Sequence, residues 1–375
     1  MLSLAILIAG AVAVGYQVTA LLACLIHWGV ARLRYRKPPS TPKPPISILK
    51  PVRGLDAGFA AAIRSHAEQD YPEYEILFGV REMDDPAVPA IRGLIESYPK
   101  LPIRLIHCQA DAPNGKVAIL LELEKHARHA ILLVNDADIT VPRDYLARVV
   151  SPLDAKETGV VTCLYRATAA SVAGQWEALG IATDFIPSTL VAPLVGVKEF
   201  GLGSTLCFRA EDLKAIGGFE TLKEYIADDY QLAKRITQLG RQSFLSEVTV
   251  STTLSDPDWL SVWRHQLRWA RTIRVSRGGG YLGLPVTQAG LWVLLNVLSG
   301  HYSMAVVLLV ARISMGVTGG FLVLRHWPVV FAAPLIPLWD LWAFVVWLAG
   351  LLGRTIHWRN GKAELLTDGR MKPLA

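Results

Sequence analysis

Two long apolar stretches, one near each end of the chain, constrain its fold more than any motif does. Residues 2–28 hold no Asp, Glu, Lys or Arg, and a second apolar region covers residues 283–353. A bilayer-spanning helix needs ~20 apolar residues. The first stretch therefore predicts one membrane helix, assigned to residues 1–31. A secretory signal peptide is the competing reading, but there is no positive n-region and the apolar run is too long for an h-region. Arg32, Arg34, Arg36 and Lys37 follow at once, so the positive-inside rule puts what comes next in the cytoplasm. Residues 32–45 read as a basic, Pro-rich linker that is stiff and extended. Residues 283–353 predict two or three membrane segments, at about 288–311, 313–325 and 330–352, with Arg312, Arg325 and Asp340 interrupting the run. The tail, 354–375, carries Arg354, Arg359, Lys362, Arg370 and Lys372. Its charge predicts a cytoplasmic location and an even number of spans, whereas three C-terminal spans would put it outside. Mean hydropathy is +0.33 over the whole chain, and the excess is confined to these two stretches.

The middle has ordinary soluble composition and a β-α rhythm. Strands are predicted at 46–51, 74–80, 103–107, 131–134, 159–165 and 243–251. Helices are predicted at 57–70, 86–98 and 116–127. Short alternation of this kind signals a parallel sheet with crossover helices. Ile131-Leu132-Leu133-Val134 is a buried strand that ends in Asn135-Asp136-Ala137-Asp138. Ligands of open α/β sheets bind at the carboxyl ends of strands, where two carboxylates two residues apart can grip a hard cation or a nucleotide. A polar turn after the strand is the simpler alternative. No G-x-G-x-x-G or P-loop pattern follows the first strand, which excludes the usual dinucleotide and P-loop sites.

Further candidates lie downstream. A mixed region follows the strand at 159–165. Small residues at Gly201, Gly203 and Ser204 let backbone approach a ligand, or mark a tight bend. Asp228 and Asp229 open a helix, where acids usually just favour the dipole. Residues 256–282 are rich in Trp and Arg and suit the bilayer interface. Arg264 and Arg268 are four apart, on one helical face. Cys24, Cys108, Cys163 and Cys207 form no close pair, so neither a zinc site nor a disulfide framework is expected. The net charge of +6 reads as membrane and phosphate affinity. Without a basic stripe interleaved with aromatics, nucleic acid is not an expected partner.

Asp84, the D-A-D of 136–138, Asp228-Asp229 and His265-Gln266-Leu267-Arg268-Trp269 occur in this order. The set resembles membrane-bound family 2 and 21 glycosyltransferases of the ceramide glucosyltransferase type, marked by three acidic motifs and (Q/R)-x-x-R-W. Lys50-Pro51, Gln69-Asp70-Tyr71-Pro72, Asn114-Gly115-Lys116 and Val161–Arg166 add to the likeness, which spans about residues 44–280. More narrowly, H-Q-L-R-W-A-R-T-I-R and A-D-D-Y resemble the hopanoid-biosynthesis glycosyltransferases, which move N-acetylglucosamine to bacteriohopanetetrol. Two departures stand out. His265 replaces Gln or Arg, and D-D replaces the E-D of the sphingolipid enzymes.

The resemblance implies an α/β, GT-A fold over residues 46–255 and transfer with inversion from a UDP-sugar to a lipid hydroxyl in the bilayer. It implies Asp229 as general base with Asp228 beside it, the pair repelling so that one pKa rises. It implies donor contacts from Asp84, Asp136, Lys116, Arg268 and Trp269, acceptor contacts from His265 and Trp269, and Mg²⁺ or Mn²⁺ on Asp138. The expected setting is the bacterial inner membrane with a cytoplasmic catalytic domain. UDP-GlcNAc with bacteriohopanetetrol is the first expectation, and UDP-glucose with ceramide the second. Processive polysaccharide synthases share the later motifs but use more spans. A membrane-anchored binding protein without turnover, and a small transporter, are the readings from other classes. The intact acids argue against the first, and the scarcity of charges within the spans against the second.

Overall fold

The computed structural model describes residues 1–39, 43–255, 258–358 and 361–374. Ser40–Pro42 of the expected linker, Asp256–Pro257 and Arg359 lie outside the described residues. The central sheet has seven strands in the order β3-β2-β1-β4-β6-β5-β7. These are β1 Ile46–Pro51, β2 Tyr74–Val80, β3 Ile103–His107, β4 Ile131–Val134, β5 Thr158–Thr168, β6 Leu206–Arg209 and β7 Gln242–Thr253. β1 pairs parallel with β2 and β4, Ile46 lying opposite both Tyr74 and Ile131. Alternate strand residues feed two cores. Ile46, Ile48, Ile131 and Leu133 face one, and Leu49, Leu132 and Val134 the other. Both faces being covered explains why β1, β2 and β4 are buried along their whole length.

The expectation of a parallel sheet needs one correction. β6 runs antiparallel to both β4 and β5. The reason lies in the chain before it. What read as a mixed region is an apolar helix, Val172–Val195, long enough to cross a membrane. It packs against the membrane helices instead of recrossing the sheet. Because β5 and β6 are antiparallel neighbours, this insert must return to the end of the sheet it left.

The N-terminal helix, Leu2–Tyr35, packs along Ala289–Leu298 and Tyr302–Val317. By length and composition Tyr302–Val323 and Pro328–Leu351 can also span, and Gly278–Val286 with Ala289–Leu298 forms a pair bent by 46°. The C-terminal region thus holds two or three such segments, as expected. The expected interruption at Arg312 is not observed, because the first break falls earlier, at Ser299-Gly300-His301. Arg312 lies inside its helix and pairs with Asp340 at 2.7 Å, both side chains 1% exposed. Arg312 also donates to the Thr183 carbonyl at 2.7 Å, and Asp340 accepts from the Gly290 amide at 2.8 Å. The Thr183 carbonyl belongs to a π-turn, Ile181–Phe185, inside the insert. One ion pair therefore joins three membrane helices and the insert. The tail is folded as a three-stranded antiparallel sheet of β8 Thr355–Trp358, β9 Gly361–Leu365 and β10 Met371–Leu374. It joins the central domain where the Met371 amide donates to the Glu224 carbonyl at 2.7 Å.

Candidate active site

The carboxyl end of β4 is held by buried polar groups. Asn135 is fully buried and donates to Tyr145 Oη at 2.9 Å and to the Ser204 carbonyl at 2.6 Å. His66 Nε2 lies 3.2 Å from Asn135 Oδ1. Lys50, at the end of β1 and fully buried, donates to the Asp136 carbonyl at 3.2 Å. Burial pulls its ammonium down to about 7, against the pull of Asp138 and Asp136. These bonds set where Asp136 and Asp138 emerge.

Lys116 reaches the same place from another helix. Asn114 caps that helix by accepting from the amides of Lys116 at 3.0 Å and Val117 at 3.2 Å. The Lys116 ammonium sits 2.8 Å from Asp136 Oδ1 and 3.3 Å from Asp228 Oδ2. Burial opposes its charge, but Asp136, Asp228 and Asp229 outweigh burial and hold it well above the ordinary lysine range. Asn114 ties the third acidic motif down as well, donating to the Tyr225 carbonyl at 2.8 Å.

The two adjacent acids have different surroundings. Asp228 is paired with Lys116. Asp229 instead accepts from two amides, Gly203 at 2.9 Å and Tyr230 at 2.7 Å. Burial and then the charge of Asp228 push its carboxyl up to about 6, against Lys116 and the Tyr230 amide. Gly203 is where these elements converge. A Cβ there would lie 3.0 Å from Asp136 Oδ2 and 3.5 Å from both Asp229 Oδ2 and Lys116 Nζ. Asp138 accepts from the Thr252 hydroxyl of β7. Burial, and next the charge of Asp136, raise its carboxyl above the usual range.

Asp84 lies on the loop after β2 with its side chain exposed. Its neighbour Asp85 orders that loop, accepting from the Gly54 amide at 2.8 Å and the Ala87 amide at 2.9 Å. A cavity of about 590 Å³ opens there at the carboxyl ends of β1, β2 and β3, lined by Arg53, Gly54, Arg81, Asp85, His107 and Gln109.

The helix Trp259–Ser276 carries the last motif. Asp258 caps it, accepting from the Ser261 amide at 2.8 Å. His265 Nδ1 lies 2.8 Å from Glu177 Oε1 of the insert, and Gln266 Nε2 donates to the same oxygen at 2.6 Å. Trp269 packs edgewise on His265, ring centroids 5.0 Å apart, and tilted on Phe185 of the insert at 5.4 Å. Arg268 is half-buried on the same helix. The structure thus gathers Asp136, Lys116, Asp228 and Asp229 around Gly203, with Asp138 two residues on. Asp84 lies on the loop whose neighbours Glu82 and Asp85 line the cavity, and His265 and Trp269 lie against the insert. Sequence reasoning assigned no role to Lys50, Asn114, Thr252 and Glu177. Lys50 and Asn114 lie in blocks that carried the family likeness, whereas Glu177 and Thr252 carried no signal.

Among the described residues no three His, Cys, Asp or Glu side chains converge as a metal-binding group. Mg²⁺ and Mn²⁺ need fewer protein ligands, commonly one or two carboxylates completed by substrate phosphates. Asp138 and Asp136 fit that donor set, two carboxylates two residues apart whose charge a cation would balance.

Residues 6–371 match the model of Glycosyl transferase family 21. Ceramide glucosyltransferase 1 of Caenorhabditis elegans is 23% identical over 273 residues, covering 68% of this chain and 58% of the relative. Ceramide glucosyltransferase of Komagataella phaffii is 27% identical over 152 residues, covering 38% and 30%. The chain thus spans less than two thirds of the length of these relatives. Mannosyltransferase PcManGT from Pyrobaculum calidifontis, solved with GDP-Man and Mn²⁺, superposes with a TM-score of 0.50 at 19% identity, covering 91% of this chain and 99% of that one. That likeness shows a GT-A fold, the α/β class expected from the resemblance. The chain belongs to glycosyl transferase family 21.

Proposed function

We propose that this chain is an inverting glycosyltransferase that moves a hexose from a UDP-sugar to the hydroxyl of a membrane lipid. The observation that carries the reading is the convergence of Asp136, Lys116, Asp228 and Asp229 on Gly203 within a domain tied to apolar helices. Asp229 takes the proton of the acceptor hydroxyl. A general base acts best with a pKa near the working pH, and burial with Asp228 moves Asp229 in that direction. Asp228 stays paired with Lys116, so the two acids divide base and support between them. Lys116 and Arg268 supply positive charge for the departing diphosphate. Asp84 and the adjoining cavity hold the uridine side of the donor. Trp269 and His265 shape the acceptor mouth. Asp138, with Asp136 beside it, would hold Mg²⁺ or Mn²⁺, which when bound acts as a Lewis acid on the leaving phosphate.

The relatives named ceramide glucosyltransferase favour UDP-glucose and a sphingoid acceptor. A second reading, UDP-GlcNAc with a hopanoid polyol, is favoured by His265–Arg274 and by Ala227–Tyr230. The basic stretch after the first helix supports a cytoplasmic catalytic domain at a bacterial inner membrane. The tail packs on that domain, so the two share one side. An even number of crossings then separates domain from tail, which Tyr302–Val323 and Pro328–Leu351 supply if the bent pair dips in and the insert returns. UDP release by the detergent-purified protein, with UDP-glucose and UDP-GlcNAc crossed against ceramide and hopanetetrol, tests the reading. Turnover with one pair assigns the substrates. Donor binding without turnover in all four reactions would leave a non-catalytic binding protein.

A further inference from the structure

The insert that interrupts the sheet sends one carboxylate back toward the site. Glu177 is fully buried on the helix Val172–Gly180. Its Oε1 accepts from Gln266 Nε2 at 2.6 Å and makes an ion-pair contact with His265 Nδ1 at 2.8 Å, without the alignment of a hydrogen bond. Its Oε2 is buried and has no hydrogen-bond partner among the described residues. A buried carboxylate held this way is costly unless a cationic or proton-bearing partner faces it, and His265 faces it at 2.8 Å. His265 stands where the family has Gln or Arg. A glutamine amide keeps its donor whatever its neighbours. An imidazole at the same place depends on its neighbours for its charge, and a carboxylate against the ring favours the charged form.

Aromatic contacts link the insert to β5 and the motif helix. Tyr165 of β5 lies tilted against Phe185 at 5.8 Å, and Phe185 against Trp269 at 5.4 Å. Burial raises the Tyr165 hydroxyl well above its usual range, and the charges of Glu177, Asp136, Asp229 and Asp138 add to this. Its phenol therefore feels both the insert carboxylate and the acid cluster. On the outer side, Trp176 meets Trp259, Trp339 and Trp342 at 6.3, 5.5 and 6.4 Å. The helix segment that carries Glu177 is wedged between the motif helix and the last membrane helix.

We propose that Glu177 is a positioning residue of the transfer reaction. By pairing with His265 and accepting from the Gln266 amide it holds the His265 ring in place on the acceptor side, and so couples the membrane insert to that side of the site. The inference rests on the acceptor role given to His265 above. It also explains how histidine serves at this position of the family motif.

The test uses the full-length protein and the isosteric change Glu177→Gln, with His265→Gln and the double variant. Donor affinity and the slow hydrolysis of UDP-sugar without lipid are read beside acceptor kinetics. Glu177→Gln is expected to reduce kcat/KM for the lipid about tenfold, within the loss typical of a disturbed outer contact, with donor KM and lipid-free hydrolysis unchanged. On the His265→Gln background the same change should cost less than about twofold, because coupled sites are not additive. Losses that multiply independently, or that fall equally on lipid-free hydrolysis, overturn the proposal. Histidine ¹⁵N spectra give a readout independent of turnover. A resonance absent from His265→Gln should shift in Glu177→Gln. If it does not shift, the pairing is wrong. If it shifts while the wild type transfers sugar to no lipid, the pairing stands and the proposed function fails.

Discussion

Two buried charge clusters sit in this molecule, and they are built on opposite principles. Between the membrane helices the Arg312 guanidinium pairs directly with the Asp340 carboxylate. The guanidinium uses both arms and its Nε on Asp340 and a carbonyl, and the carboxylate takes a backbone amide besides. Around Gly203, Asp136, Asp138, Asp228 and Asp229 share Lys116 and the weakened Lys50. The first cluster is saturated and closed. The second is short of positive charge and partly open, Asp136 keeping 43% of its side chain exposed. A saturated pair fixes packing. An unsaturated one leaves room for a cation, a proton or a charged substrate.

The comparison breaks most sharply on Asp229→Asn. Loss of a general base typically costs about 10²–10⁴-fold, so kcat should fall by that factor with little change in melting temperature. Near-wild-type turnover would remove Asp229 as the base. In the closed cluster Arg312→Met strands a buried carboxylate, and breaking such pairs costs about 3–5 kcal/mol. That loss should appear in thermal stability. The double change Arg312→Met with Asp340→Leu should recover much of it, because a matched apolar pair strands no charge. If the double variant is worse than either single one, the pair does more than hold helices together.

Gly203→Ala puts a methyl 3.0 Å from Asp136 Oδ2. Displacing a reacting group by about 1 Å costs on the order of 10²-fold at most. A fall in kcat smaller than that of Asp229→Asn, with the protein still folded, is expected. A gentler probe is pH. As the proposed base, Asp229 would work deprotonated, and burial with Asp228 pushes its carboxyl up to about 6, so kcat should rise with pH through that region and level off above it. Asp228 is the second cause of the shift. Asp228→Asn should therefore move the acid limb to lower pH, and an unmoved limb would assign it to another group. Arg370→Ala marks the bottom of the scale. Its pairs with Asp368 and Glu224 are nearly half exposed, and exposed pairs contribute about 0–1 kcal/mol.

Legibility in the sequence tracked locality. The β-α rhythm of residues 46–134 was readable because strand and helix periods are written in neighbouring residues. The acids after β4 and at Asp228-Asp229 stood out because carboxylates beside apolar runs are conspicuous. The insert escaped notice for the opposite reason. Glu177, Asp184, Pro187 and Pro193 punctuate it, and a window of residues cannot show that Glu177 and Asp184 have tertiary partners. Arg312 and Asp340 misled in the same way, reading as breaks because their mutual contact spans 28 residues.

What the sequence determined by itself was the layout of apolar ends around an α/β domain, and the chemical kinds of residue available to a site. Apolar length and strand–helix alternation are local quantities, and they survive without any neighbour. The tertiary structure decided the rest. It reversed β6, folded the insert onto the membrane helices, closed Arg312 on Asp340, and set Lys116 between Asp136 and Asp228. It also gave the paired acids different surroundings, Asp228 an ammonium and Asp229 two amides. Charge balance and burial are sums over groups distant in sequence, and no stretch of the chain contains those sums until it is folded.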